Sequence, residues 1–300
     1  MSKRKFKIVT PKPIEVERLH RQPRNYLKTV AKLVGKTTDE VTLFTLPDVT
    51  PERTGGNIIR ETISKNTVIL GNYLLQLWQQ CGAEELVIEN LSPIAKMMNN
   101  KNQEIKIYLL YLGGYVYPIV DRDKKTGELT ISTEQLFNIQ FKYSKEVGDR
   151  YSAGDLKSIV GGITRFIKDE PVECIIIKPN PKFIQALEGK GLGNVLVVND
   201  KMIKLSLDLT DIAYKILSYS ASNKPSQKIK EDNLVRHLGL EKQVKVQGKP
   251  RVRATILKGL QELKDKEHIK SYSFEEDPGL YKFVYSDKFI KHKGHKDEPI

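Results

Sequence analysis

DLTDIAYKILSYSAS (208–222) opens the most informative part of the chain, and it is followed by QKIKEDNLVRHLGL (227–240), EKQVKVQGK (241–249), PRVRATILKGLQELKDKEHI (250–269) and IKSYSFEEDPGLYKFVYS (269–286). The first two segments have helical apolar spacing, and Gly239 favours the left-handed conformation in which helices often end. The third segment predicts a basic turn, and Pro250 suits the first turn of the next helix. The last segment alternates in polarity around Asp277-Pro278-Gly279, which predicts a β-hairpin.

A second region with the same order of elements is predicted upstream. Its helices and hairpin turn fall in SKNTVILGNYLLQLWQQ (64–80), ENLSPIAKMMNN (89–100), NQEIKIYLLYLGGY (102–115) and RDKKTG (122–127). In the short second helix, Ser92 is the expected N-cap and Pro93 the first helical residue. The two regions share an order of elements rather than residue identity.

The order helix, helix, turn, helix and hairpin is that of a winged helix, a helix-turn-helix with a β-hairpin wing. The sequence therefore predicts an α+β fold with two winged-helix domains in tandem and a basic N-terminal arm. The expected segments are a Pro-containing arm (1–56), a first domain (57–150), a second domain with a linker helix (151–287) and a basic tail (288–300).

Three segments between the two regions are assigned to the second domain. GDLKSIVGGITRFIKD (154–169) predicts the linker helix. VECIIIKP (172–179) predicts a buried strand, and VLVVND (195–200) with MIKLSL (202–207) predicts a hairpin through Asn199-Asp200. These strands are expected to complete the second domain's sheet.

The charge of the chain indicates a polyanionic partner. A net charge of +13 and a pI near 9.4 favour nucleic acid as the partner. A membrane surface is not expected as the partner, because the sequence contains no long basic amphipathic helix. Residues 1–36 hold eleven Lys/Arg against two Glu, and residues 242–258 hold six Lys/Arg and no acid. The arm has little apolar surface to offset the loss of conformational entropy on folding, so it is not expected to fold by itself. It is expected either to strengthen DNA binding or to be a solvated tail.

The remaining composition predicts a reduced, cytoplasmic protein. No apolar run approaches the ~18 residues of a membrane span, and the basic start MSKRKFKIVTPKP has no apolar segment behind it. Cys81 and Cys174 lie in apolar surroundings without CxxC spacing, so they are expected to be reduced core residues.

The third helix of the downstream region supplies candidate base contacts. A 100° helical wheel places Val252, Ile256, Leu260 and Leu263 on its inner face. The outward residues Arg251, Ala254, Thr255 and Lys258, with Arg253 at the edge, are the candidates for base contacts. Arginine binds guanine through two hydrogen bonds in the major groove, and Thr and Ala can contact the thymine methyl group. The alternative is a solvated cationic face.

Other cations are candidates for phosphate contacts. They are Lys242, Lys245 and Lys249 in the basic turn, Lys282 on the wing, and Lys101, Lys106, Arg122, Lys124 and Lys125 in the first domain. The first domain also offers Asn99, Asn100, Asn102 and Gln103, which could bind adenine or only cap helices. Leu110 and Tyr111 lie towards its outer face, which suggests a homodimer interface through this domain.

The sequence contains no credible catalytic set, metal site or cofactor site. Gly189-Lys190-Gly191-Leu192-Gly193 lacks the spacing of a phosphate-binding loop and predicts a turn. His292 and His295 lie in a lysine-rich tail rather than in an apolar strand, and Arg236-His237 lacks the companion motifs of a tyrosine recombinase. The protein is therefore expected not to be an enzyme.

Four segments above all carry a resemblance to a known family: LYLGGYVYPIVD (110–121) with GELTIST (127–133), and RVRATILKGLQELKDKEHIKSYSF (251–274) with GLYKFVYS (279–286). Through them, the two regions resemble the plasmid replication initiator (Rep) proteins built from two winged helices. The resemblance covers about residues 58–286. It implies sequence-specific binding to repeated origin sites through the C-terminal domain, with a weaker contact and a dimer interface from the N-terminal one. It also implies recruitment of host replication proteins such as helicase.

The sequence leaves three functions open. The first is a duplex-DNA-binding replication initiator without catalysis of its own. The second is a winged-helix transcriptional regulator, which needs the same groove chemistry. The third is a DNA-nicking or strand-joining enzyme. The target sequence, the oligomeric state and the host partners are not encoded in recognisable motifs.

Overall fold

The computed structural model of the chain is a mixed helix and strand fold of the α+β class. It describes residues 6–8, 19–23, 34–35, 64–81, 85–114, 116–122, 129–135, 137–151, 162–181, 195–199, 201–221, 226–286 and 290–291. The chain divides into two compact units, the first of residues 1–13 and 36–192 and the second of residues 14–35 and 193–300. None of the described helices has the length and apolar character needed to cross a membrane.

The described elements are, in chain order, β1 (Phe6–Ile8), β2 (Leu19–Pro23), α1 (Lys65–Cys81), β3 (Glu85–Ile88), α2 (Ser92–Met97), α3 (Asn102–Gly114), β4 (Val116–Arg122), β5 (Leu129–Gln135), β6 (Phe137–Lys142), α4 (Lys145–Asp149), α5 (Ile163–Asp169), β7 (Cys174–Pro179), β8 (Val195–Asn199), α6 (Lys201–Leu207), α7 (Asp211–Ala221), β9 (Ser226–Lys230), α8 (Glu231–Leu238), α9 (Glu241–Gln247), α10 (Lys249–Asp265), β10 (Ile269–Glu275), β11 (Leu280–Tyr285) and β12 (Ile290–Lys291).

The first unit is built on a four-stranded sheet in the order β1-β3-β7-β6. β1 runs parallel to β3, and the other pairs are antiparallel. In β7, Ile175 and Ile177 are buried and alternate with half-buried residues. The hairpin of β4 and β5 forms a separate two-stranded sheet, as the sequence predicted for a hairpin here. Helix α1 is buried almost all round, with every residue from Thr67 to Leu77 buried.

A hydrophobic cluster joins α3 to α5 in the first unit. Ile107 and Tyr111 of α3 are buried with Ile167 of α5. The half-buried residues packed against them are Leu110, Phe141, Ile163 and Phe166. Edge-to-face contacts of the Phe166 ring with Tyr143 and Tyr151, at 5.1 and 5.2 Å between centroids, extend this cluster.

The second unit contains a three-stranded antiparallel sheet in the order β10-β11-β9, covered by helices. The predicted inner face of α10 is confirmed, because Val252, Ile256, Leu260 and Leu263 are all buried. Gly259 lies on the same face, where a Cβ would come within 3.0 Å of Ile216 Cδ1 in α7. The absence of a side chain at this position therefore permits the close packing of α7 on α10. A further sheet in the order β12-β8-β2 belongs to this unit.

The end of α8 confirms the predicted helix stop. Gly239 is left-handed with φ 69° and ψ 35°, and the Leu240 amide donates to the Val235 carbonyl at 3.0 Å. Leu240 is buried, which fixes the direction of the chain after the helix. The predicted hairpin of β10 and β11 is confirmed as well, with Phe274 opposite Tyr281.

Several elements differ from the prediction. The strand VECIIIKP pairs as β7 with β3 and β6, so it belongs to the first unit and does not complete the second unit's sheet. α5 packs on α3 within the first unit, and residues 152–161 of the predicted linker helix lie outside the described residues. MIKLSL is helix α6 rather than the second strand of a hairpin, since Met202, Ile203 and Ser206 are buried at helical spacing.

The predicted start of α8 and the predicted basic turn are also wrong. Residues 226–230 form strand β9 on the edge of the sheet, and α8 begins only at Glu231. Residues 241–247 form helix α9 instead of a turn. In the first unit, Leu91 rather than Ser92 is the N-cap of α2, and the strand β3 was not predicted.

Part of the predicted arm is strand. β1 and β2 both fall within residues 1–56, and they pair with β3 and β8 respectively. Residues 36–56 and the predicted tail beyond residue 291 lie outside the described residues. The arm is therefore not a uniform solvated segment.

Candidate nucleic-acid interface

The basic residues of the second unit gather on α9 and on the first turns of α10. Lys242 and Lys245 are exposed on α9, and Lys249 and Arg251 are exposed at the start of α10. Gly248, with φ 82°, separates the two helices. Its amide donates to the Val244 carbonyl at 2.9 Å, so α9 ends directly beside the start of α10. We call α9 and residues 249–258 of α10 the basic face.

The outward side of α10 agrees with the predicted wheel. Ala254 and Lys258 are exposed, and Thr255 is half-buried. The Thr255 hydroxyl donates to the Arg251 carbonyl at 3.1 Å, a common arrangement of threonine within a helix. Arg251 and Lys258 lie about one turn away from Thr255, on either side of it along the helix. The structure thus brings four of the five candidates for base contacts together on one outward strip, on which Thr255 is half-buried and the other three are exposed.

Arg253 is the exception, because its guanidinium is held by the protein. Its Nε and one terminal nitrogen donate to the two carboxylate oxygens of Glu231 at 2.8 and 2.9 Å. The guanidinium also lies 4.5 Å from the centre of the Phe274 ring, and Glu276 is 3.7 Å away. A two-pronged bond to guanine would use the same donors. We therefore assign Arg253 to the support of the interface rather than to base contacts.

This arrangement, which we call the Glu231 clamp, joins three elements. Glu231 opens α8 and is buried, and its amide donates to the Gly279 carbonyl of the hairpin turn at 2.8 Å. Arg253 belongs to α10, and Phe274 belongs to β10. Two parallel N–H···O bonds between arginine and carboxylate fix orientation as well as distance. The clamp therefore sets the position of α10 relative to α8 and the hairpin.

Two of the candidate phosphate contacts have carboxylate partners at the surface. Lys249 lies 2.7 Å from Asp232, and this hydrogen bond raises the pKa of Lys249 and lowers that of Asp232. Lys282 on the hairpin pairs with Glu275. The Lys249–Asp232 pair is largely exposed and the Lys282–Glu275 pair is partly exposed, and ion pairs at the surface contribute little to stability. Either lysine can therefore exchange its carboxylate for a phosphate at small cost.

The tip of the hairpin is acidic, unlike the basic face. Glu275, Glu276 and Asp277 are all exposed around the turn. Carboxylates are repelled by phosphates, so this tip is unsuited to follow a DNA backbone. On the outer side of the sheet, Lys282 stands opposite Lys228 of β9.

In the first unit, Lys106 is not available for phosphate contact. It is buried to 7% exposure, and its ammonium donates to the Glu170 carbonyl at 2.7 Å. Burial lowers the pKa of Lys106, and the nearby Asp169 and Glu170 carboxylates oppose that shift. The prediction of Lys106 as a phosphate contact is wrong, because α5 and the Glu170 carbonyl cover this side of α3.

The segment that covers Lys106 also covers the surface predicted to form a dimer. Tyr111 is buried and Leu110 is half-buried against α5, so they form an internal contact rather than an outward apolar patch. The helix wheel could not show this, because the covering residues lie more than fifty positions further along the chain. A homodimer through this surface would require α5 to leave.

The other first-unit candidates divide into exposed, capping and undescribed residues. Lys101 and Gln103 are exposed. The Asn100 side chain donates to the Tyr108 hydroxyl at 3.2 Å, and the Asn102 side chain donates to Ser92 at 3.3 Å, so these amides have local structural partners. Asn99 is left-handed with φ 50°. Lys124, Lys125 and the side chain of Arg122 lie outside the described residues.

Sequence inspection missed Glu231 and Phe274 as residues that support the interface. Glu231 lies in the first turn of α8, a position that favours a carboxylate in any helix. Its spacing of 22 residues from Arg253 carries no local signal. Val246, which is exposed on α9, was missed because the segment was predicted to be a turn.

This chain matches no known protein-family model, no curated protein and no solved structure. The resemblance to plasmid replication initiators therefore stays a prediction.

Among the described residues, no three His, Cys, Asp or Glu side chains group together as a metal site would require. Cys81 and Cys174 are both half-buried.

Proposed function

We propose that the second unit is a winged helix and that it binds duplex DNA sequence-specifically through α10. The observation that carries this proposal is the order of its elements in chain and sheet. Along the chain the order is α7, β9, α8, the short helix α9, α10, β10 and β11, and β11 lies between β9 and β10 in the sheet. This order supports a helix-turn-helix closed by a β-hairpin, with α9 in place of the turn and α10 as the helix that enters the major groove.

The charge distribution supports the same helix as the contact element. α10 buries its apolar side on α7 and leaves Arg251, Ala254 and Lys258 exposed, so its first turns can enter a groove without unfolding. The lysines of α9 stand beside these turns, where phosphates flank a helix in the major groove. Arg251 is the proposed base contact, and Lys242, Lys245 and Lys249 are the proposed phosphate contacts.

The proposal rests on the second unit alone. In the first unit, β3 joins β1 and β7, while the hairpin of β4 and β5 stands as a separate sheet. The side of α3 that carries Lys106 is covered by α5 and the segment after it. We therefore expect the first unit to contribute at most backbone contacts, through Lys101 or the hairpin turn.

Two substitutions test the DNA contact. Arg251→Ala is expected to cost about 1–3 kcal/mol of binding free energy and to relax base preference at one position. Lys249→Ala is expected to weaken binding to every duplex and to reduce the slope of log K against log salt by about 1. Lys264→Ala removes the same charge at the other end of α10 and should leave binding nearly unchanged. Equal effects of all three variants would contradict the placement of α10.

For the cellular role, we propose a replication initiator of the plasmid type that recruits host proteins such as helicase. The support is the resemblance of sequence order, and a winged-helix transcriptional regulator would need the same contacts. Footprinting on the DNA beside the gene separates them. Tandem direct repeats about two helical turns apart favour an initiator, and a single palindrome favours a regulator.

A third function, DNA nicking or strand joining, is tested directly. The protein is incubated with a supercoiled plasmid that carries its binding site, with Mg²⁺ or Mn²⁺ present. We expect the plasmid to remain supercoiled and free of covalently attached protein. A nick or an adduct would overturn the non-enzymatic proposal.

A further inference from the structure

Val246 is an apolar residue exposed to solvent, and neither packing in the core nor helix propensity explains a valine at this position. Its exposed fraction is 83%, and it is the only large hydrophobic side chain among the described residues that is classed as exposed. It lies on α9, and none of the seven residues of that helix is buried. Valine is also a weaker helix former than lysine or glutamine. An apolar side chain here contributes nothing evident to folding.

The position of Val246 on α9 places it among cations. At 100° per residue, Lys242, Lys245 and Val246 share one side of the helix, at positions i, i+3 and i+4. Val244 lies on the opposite side and is half-buried. Gly248 then leads directly into α10, whose first turn carries the exposed Lys249 and Arg251.

This combination matches the chemistry of the major groove. Phosphates line the groove and attract the lysines, while the thymine 5-methyl group is an apolar contact point on the base edges. An apolar side chain beside two lysines that are proposed phosphate contacts is therefore suited to meet that methyl group. We propose that Val246 contacts a thymine methyl group and makes α9 a second determinant of base preference beside α10. This inference rests on the proposed DNA binding.

The test uses deoxyuridine, which differs from thymidine only by the missing methyl group. A preferred duplex is first selected from a random library with the wild-type protein, and each thymine is then replaced singly by deoxyuridine. At one or two positions we expect the wild-type affinity to fall about fourfold, the effect of one buried methyl group. With Val246→Ala the same replacements should have a clearly smaller effect on affinity, since both Cγ methyl groups of the valine are gone and only its Cβ remains.

Val244→Ala provides the matched control. It shortens the other valine of α9 on the half-buried side, so it reports any general disturbance of the helix. It should keep the full sensitivity to deoxyuridine. Circular dichroism of all three proteins confirms that the fold is retained.

The outcomes separate the two proposals. A wild-type protein that selects no duplex overturns the proposed function itself. A protein that binds its selected duplex but shows the same deoxyuridine penalty with and without Val246 overturns the thymine contact alone. A selected site in which no thymine methyl matters also overturns it, and would leave Val246 to a protein partner.

Discussion

At the scale of single residues, Glu231 and Asp232 show the difference between a charge buried in the structure and a charge on the surface. Glu231 and Asp232 are neighbours at the start of α8, and each pairs with a basic residue of α10. The Glu231 side chain is only 10% exposed, whereas that of Asp232 is 69% exposed. Removing a carboxylate from the buried pair leaves the Arg253 guanidinium without its two acceptors.

Glu231→Ala is therefore expected to lower the free energy of unfolding by about 2 kcal/mol, because a partly buried charge loses its hydrogen bonds. Asp232→Ala should change stability little, since its ion pair is solvated. Urea unfolding of both variants measures the difference. Equal losses from the two substitutions would show that the clamp has no special role in stability.

At the scale of helices, Glu262 joins α10 to the start of α7. Its carboxylate accepts from the Thr210 amide at 3.0 Å and also from the Thr210 hydroxyl, and Lys266 lies 3.0 Å away. Burial alone would raise the pKa of Glu262. The hydrogen bonds from Thr210 and Lys266 outweigh burial and lower that pKa.

A pKa lowered by folding means that ionised Glu262 stabilises the fold. This contribution is present above the unfolded pKa of about 4.3 and is lost as the pH falls through the lower folded pKa. Glu262→Gln should therefore be less stable than the wild type by about 1 kcal/mol at pH 7. The gap should narrow below about pH 4. Urea unfolding at pH 7, 5 and 3.5 measures it, and a constant gap would contradict the role of the charge.

Elements with a strong local pattern were predictable from the sequence, and α10 is the clearest case. Its inner residues, its first-turn proline and the exposed Arg251 follow from helical spacing alone. α9 was not predictable, because Lys, Gln and two valines in seven residues give no apolar stripe. β9 was missed for a similar reason, since only Ile229 of its five residues is buried.

Long-range pairing explains the remaining errors, which include the position of Lys106. The isoleucines of β7 predict a buried strand but do not specify its partners. Those partners are β3 and β6, and the turn before β7 supplies the Glu170 carbonyl that holds Lys106. Helical spacing within α3 does not specify which distant segment covers the side that carries Lys106.

At the scale of the whole chain, residues 1–35 contribute a strand to each compact unit. β1 adds to the edge of the first unit's sheet beside β3, and β2 adds to the edge of the second unit's sheet beside β8. A basic tail would affect only DNA binding, whereas an edge strand also shields the backbone groups of its neighbour. The two functions of this segment can therefore be separated.

Deletion of residues 1–35 is expected to lower the Tm by roughly 5 °C and to speed amide hydrogen exchange in both β3 and β8, since each loses its neighbouring strand. The matched variant carries Lys3→Gln, Arg4→Gln and Lys5→Gln, which removes three charges and leaves both strand segments intact. It should keep the wild-type Tm and exchange rates, and only its salt-dependent DNA affinity should fall. If the deletion changed DNA affinity but neither the Tm nor the exchange rates, residues 1–35 would act as a tail.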